Sequence, residues 1–80
     1  MEGGIEINAT VTEVQRGVSG ISRRTRWRVL YRYEYTAGWP LAGTSRPLLE
    51  DAARELRPGD HVLIKVDPGR PERSLFVGRK

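Results

Sequence analysis

The sequence predicts a mainly β domain: a small, five-stranded, partly open antiparallel barrel with one short helix between strands three and four. Three observations predict it. From Arg24 to Thr36, Trp27, Val29, Tyr31, Tyr33 and Tyr35 hold the odd positions, while Arg24, Arg26, Arg28, Arg32 and Glu34 hold even ones, interrupted only by Leu30. Successive side chains of a strand point to opposite faces, so this is one long strand with an aromatic face and a charged face. A helix would scatter both sets around its surface. Glycine, proline and aspartate cluster between shorter apolar runs, and a single stretch, Leu48 to Leu56, has helical rather than alternating spacing.

The first strand comes from Ile5, Ile7, Ala9 and Val11, which alternate with Glu6, Asn8, Thr10 and Thr12. Its phase then slips, because Val14 rather than Glu13 is the next apolar residue. An extra residue near Thr12-Glu13 predicts a β-bulge, which bends a strand around a small barrel. Gly17-Val18-Ser19-Gly20 predicts a hairpin turn into the long central strand, with Ile21 partly exposed beyond it. Ala37-Gly38 turns the chain into Trp39-Pro40-Leu41-Ala42-Gly43-Thr44. Pro40 cannot donate to a ladder, so this third strand is short or lies at an edge.

Ser45 is expected to cap the helix, with Pro47 in its first turn. Leu48, Leu49, Ala52, Ala53 and Leu56 would share one stripe, and Glu50 and Arg54 form a supporting pair four residues apart. Arg57-Pro58-Gly59-Asp60 ends the helix. Val62, Ile64 and Val66 alternate with His61, Leu63 and Lys65 as the fourth strand. Asp67-Pro68-Gly69-Arg70-Pro71 is a rigid turn with Pro68 and Gly69 at its centre, Ser74 to Val77 the last strand, and Gly78-Arg79-Lys80 a frayed basic end.

Eighty residues make one domain, 1–80, near the size where burial is only marginally sufficient. There is no cysteine, hence no disulfide framework and no thiolate metal site. No apolar run is long enough to cross a bilayer and no signal peptide opens the chain, so the sequence as given is read as soluble, cytoplasmic or membrane-adjacent. The net charge of +4 is unevenly spread: Arg16 to Arg32 holds six arginines and no acid, whereas Leu48 to Asp67 holds five acids against three bases. A basic segment of this kind attracts phosphates, anionic lipid or an acidic partner.

Strand, strand, strand, helix, strand, strand is the order of the oligonucleotide- and oligosaccharide-binding (OB) fold, with an SH3-like barrel as the alternative. Catalytic chemistry has little to work with. His61 is the single histidine and sits in a strand, where a solvated role suits it better than a general base. Glu50, Asp51 and Glu55 are a helix surface among arginines, no donor set has metal spacing, and no cofactor is expected. Asn8-Ala9-Thr10 matches a glycosylation sequon but falls inside a strand. The chain is read as a non-enzymatic interaction module binding a protein partner or acting beside a membrane, through Arg24, Arg26, Arg28 and Arg32 and the Gly17 to Arg23 loop.

The alternative is a single-stranded nucleic-acid-binding domain that uses the same arginines. Aromatic rings would stack bases for about 1–3 kcal/mol each while arginines follow the phosphates. Alternation sets rings and guanidinium groups on opposite sides of the sheet, and so small a domain needs its rings inside. Trp27, Val29 and Tyr31 are therefore expected in the core. Tyr33 and Tyr35, near the strand end, are expected to be partly exposed at the binding surface.

Three pieces together, Val29-Leu30-Tyr31-Arg32-Tyr33 with Gly43 downstream, Pro58-Gly59-Asp60-His61-Val62-Leu63-Ile64-Lys65-Val66, and Asp67-Pro68-Gly69-Arg70-Pro71-Glu72-Arg73-Ser74, resemble a bacterial family known as a domain of unknown function, numbered three-five-nine-two. Its members tend to show a Tyr-x-Tyr strand, a Gly-Asp-x-Val strand and an Asp-Pro-x-x-Pro-x-x-Ser turn. The turn, met by Asp67, Pro68, Pro71 and Ser74, is the most specific part. The resemblance covers roughly Ala9 to Phe76. It implies a domain commonly found beside transmembrane helices, with no activity or ligand attached. This chain departs from the pattern at Leu41, where an aromatic is typical, and in lacking a membrane segment.

Overall fold

The computed structural model describes residues 4–18 and 25–79. Five antiparallel strands form one sheet: β1 (Ile5–Val18), β2 (Thr25–Thr36), β3 (Trp39–Thr44), β4 (His61–Asp67) and β5 (Arg70–Arg79), with α1 (Glu50–Arg54) between β3 and β4. Across the sheet the order is β3-β2-β1-β4-β5, so β1 is central and the proline-containing β3 lies at an edge, as expected. The expected turn residues Ser19 and Gly20, Ile21 beyond them, Arg24 and Lys80 lie outside the described residues.

The phase slip in β1 is a bulge. Val11 pairs with Tyr31 and Glu13 with Leu30, which leaves Thr12 as the extra residue. Because of it, Val14 returns to the inner face opposite Val29 instead of pointing to solvent. The kink also receives the turn that follows α1: Val11 N donates to Asp60 O at 2.8 Å, and Gly59 N donates to Val11 O at 2.8 Å. Gly59 takes φ +95°, which a side chain would oppose, and Asp60 Oδ2 accepts from Arg57 N at 2.9 Å. The carboxylate of Asp67 holds its own turn in the same way, accepting from Gly69 N at 2.9 Å.

Alternation places the core on one side of the sheet. Val11, Val29, Tyr31, Val62, Ile64 and Val66 are almost fully buried, and Phe76, Leu48 and Leu56 cover them. Trp27, expected in the core, is half-buried and packs against its margin.

The two sheet edges, β3 and β5, approach each other without backbone pairing, and side chains close the gap. Tyr31 Oη and Ser74 Oγ are 2.6 Å apart, Tyr33 Oη donates to Pro71 O at 2.8 Å, and Arg46 Nη1 donates to Phe76 O at 3.0 Å. Gly43 of β3 lies directly over this contact: a Cβ there would fall 2.5 Å from Tyr31 Cε2 and 2.7 Å from Ser74 Oγ. The ring of Tyr31 is flanked by those of Tyr33 and Phe76, with centroids 5.9 and 6.2 Å away.

Three details around α1 and β5 correct the sequence reading. Ser45 is not the helix cap: buried beside β2, its Oγ accepts from Val29 N at 2.8 Å while its own N–H donates to Val29 O at 2.8 Å. Leu48 then bridges Trp27 through two backbone hydrogen bonds, so the chain stays extended past Pro47 and the helix begins only at Glu50. That delay turns Leu49 and Ala52 outward, and the buried stripe is Leu48, Ala53 and Leu56. The Glu50–Arg54 pair forms as expected, at 3.2 Å on the surface. Gly78 and Arg79 are not frayed: they pair with Leu63 and Val62 as the end of a ten-residue β5.

Candidate interaction surface

Of the expected arginines, Arg26, Arg28 and Arg32 stand on the outer face of the sheet. Arg28 and Arg32 are exposed, Arg26 is half-buried, and Leu30 and Glu34 continue the same row. Long side chains are tolerated there because aliphatic stems cover the sheet while guanidinium groups stay hydrated. Among the described residues, none of Arg26, Arg28, Arg32 and Glu34 is in an ion pair; the pairs there are Arg54–Glu50 and Arg79–Glu55. Arg24 and most of the expected contact loop lie outside the described residues.

The flanking strands leave this row open. On the β1 side, Thr10 opposes Arg32 and Gln15 opposes Arg28; on the β3 side, Ala42 opposes Arg32, Thr44 opposes Leu30 and Pro40 opposes Glu34. Small side chains beside large ones make a track along β2. At one end it widens into a groove of about 440 Å³ lined by Asn8, Thr10, Thr12, Arg32, Tyr33 and Glu34.

Tyr33 is a correction. Expected to be partly exposed at the binding surface, it is 3 % exposed and points inward, its hydroxyl engaged by the Pro71 carbonyl. The reason is the length of β5, which starts at Arg70 rather than at Ser74 and so passes over the end of β2. Tyr35 is half-buried against the core. Both rings therefore lie on the face opposite to the arginines, and the described part of the surface is made of Arg26, Arg28 and Arg32.

Other polar groups offer less. His61 is exposed on the outer face beside Thr10. Among the described residues, no group of His, Asp and Glu is placed to hold a metal ion, and no helix is long and apolar enough to cross a membrane. A gap of about 190 Å³ lies between Trp27 and α1, lined also by Glu50, Ala53 and Arg54. It is smaller than the roughly 300–1,000 Å³ that encloses a whole small molecule. Trp27 Nε1 is buried without an acceptor among the described residues, and the guanidinium of Arg16 lies 6.0 Å from the indole centroid.

Tyr31, Tyr33, Gly43, Pro71 and Ser74, the residues that carry the sequence motifs, meet at the seam between β3 and β5. A family model described as Domain of unknown function (DUF3592) matches residues 7–79. The chain belongs to this family. No curated protein and no solved structure matches it. In this DUF3592 domain the Tyr-x-Tyr pair and the Asp-Pro-x-x-Pro-x-x-Ser turn hold the fold together, since the first supplies two hydroxyls and the second presents Pro71 O and Ser74 Oγ to them. Sequence reasoning missed this seam and the groove threonines. Alternation marked Thr10 as outward, but which residues stand beside Arg32 depends on the pairing register.

Proposed function

We propose that this DUF3592 domain is a non-catalytic interaction module that binds an acidic protein partner on the outer face of β2. The observation that carries the reading is a row of arginines, Arg26, Arg28 and Arg32, facing out beside a polar groove with no carboxylate among the described residues paired to them. Desolvating such groups against carboxylates gives specificity and steers association. The part-buried hydroxyl pair at the seam is read as structural rather than as a nucleophile. Tyr31 and Ser74 are hydrogen-bonded to each other, and burial pushes the Tyr31 phenol up, the opposite of what an activated nucleophile needs.

An OB-like reading of the fold is supported by the shared central strand and by edges β3 and β5 brought together through side chains. That likeness and the arginines favour single-stranded nucleic acid as the second reading. It is weakened by the inward direction of Tyr31, Tyr33 and Tyr35, which leaves β2 no ring on its arginine face for a base to stack upon.

The two are separated by titrating fluorescent poly-glutamate and oligo-thymidine at low and at physiological salt. Poly-glutamate should bind, more weakly as salt rises, and Arg26→Glu/Arg28→Glu/Arg32→Glu should abolish binding with the thermal midpoint nearly unchanged. Tighter binding of the oligonucleotide would replace the leading reading with the second. Failure of both to bind at low salt would remove both.

A further inference from the structure

Resting on that reading and deepening it, we infer that the partner segment is an extended strand whose side chains match the β2 row position by position. The outward residues of β2 are Arg26, Arg28, Leu30, Arg32 and Glu34. Alternate residues of a strand repeat at about 6.6–6.8 Å, and an extended peptide chain repeats its own side chains at the same spacing. The complementary pattern is acid-x-acid-x-apolar-x-acid-x-base, read along β2 or against it.

Two features favour such a peptide over a uniform polyanion. Leu30 interrupts the charges and is half-buried between Thr44 of β3 and Glu13 of β1, so one position of the ligand meets an apolar surface beside a carboxylate. Glu34 then ends the row with a second negative charge, opposite Pro40 and in no ion pair among the described residues. A phosphate chain laid along the whole track would meet repulsion at both places. The track also has room, because Thr10, Ala42 and Thr44 on the neighbouring strands are small.

The test uses the full chain and three labelled peptides of one composition: Glu-Thr-Glu-Thr-Val-Thr-Glu-Thr-Lys, its reversed sequence, and a scramble with lysine among the glutamates and valine terminal. One of the two patterned peptides should bind roughly tenfold more tightly than the scramble, as expected from a few exposed ion pairs gained together. Leu30→Lys should erase that preference while keeping affinity for poly-glutamate, and Glu34→Lys should shift preference toward a peptide ending in glutamate. Equal affinity for all three peptides would overturn the matched pattern and leave the acidic-partner reading standing. Binding of oligo-thymidine alone would overturn both.

Discussion

At the scale of single residues, the molecule is most constrained where it has the least atomic material. Gly43 has no side chain because Tyr31 and Ser74 occupy the space a Cβ would need, at 2.5 and 2.7 Å. Neither can retreat cheaply: Tyr31 is packed between two rings, and its hydroxyl is fixed by Ser74. Gly43→Ala should therefore lower stability by at least about 2 kcal/mol, the range of overpacking in a dense core, seen as a lower urea midpoint. Tyr31 predicts a pH response of known sign. Burial raises its phenol above the ordinary 10.0, so the unfolded chain ionises first as pH rises past that value. Stability is then complete below about pH 10 and falls above it, and Tyr31→Phe should flatten that alkaline decline in urea melts between neutral pH and about pH 11. A decline of equal slope in the variant would assign it to other groups.

At the scale of elements, the bulge in β1 decides which residues are inside. Within the stretch that pairs with β2, Thr10 to Val18, Thr12 is the residue without a partner of its own, and everything after it is shifted by one. Deleting Thr12 would leave Glu13 opposite Leu30 and Val14 opposite Val29, so both faces are kept and only the extra residue that bends the strand is lost. The deletion should therefore still unfold cooperatively but at a lower thermal midpoint, because the kink that receives Gly59 and Asp60 is straightened, whereas Thr12→Ala should unfold at nearly the wild-type midpoint. The helix depends on β2 rather than on its own propensity. Five residues are far too few to be stable alone, and the extended Ser45 to Leu48 segment that docks on Val29 and Trp27 sets where it starts. This is why an apolar spacing consistent with a longer helix was misleading in the sequence. Leu48 is apolar because it bridges β2, not because it begins a helical stripe.

At the scale of the whole molecule, an open sheet is closed by side chains. β1 pairs with β4 from Ile5 to Thr10 and with β2 from Thr10 to Val18, while β3 and β5 each lack a backbone partner on their outer edge among the described residues. Amide hydrogen exchange should follow that order, with the β1 amides around Thr10, where the two pairings meet, slowest and those on the free edge of β3 fastest. Tyr33→Phe, which removes the bond to Pro71 O, should speed exchange in the first half of β5 and leave the centre of β1 unchanged. Uniform acceleration would mean that the seam opens only with global unfolding. The same architecture divides labour between the two faces of the sheet. Motif residues hold the inside of the seam, and the charged row is left on the opposite face.

What the sequence determined by itself is the set of faces and turns. Period-two alternation assigns Arg26, Arg28 and Arg32 to one side of β2 and Val29 and Tyr31 to the other, and the slip at Thr12 and the turn at Asp67 are written in local chemistry. Only the tertiary structure decided which ends are covered. That Tyr33 is buried, that Ser45 serves β2 and that Gly43 must lack a side chain all follow from residues about 10 to 40 positions apart meeting across the seam. Local spacing carries the direction of a side chain, but burial depends on what distant strand arrives above it.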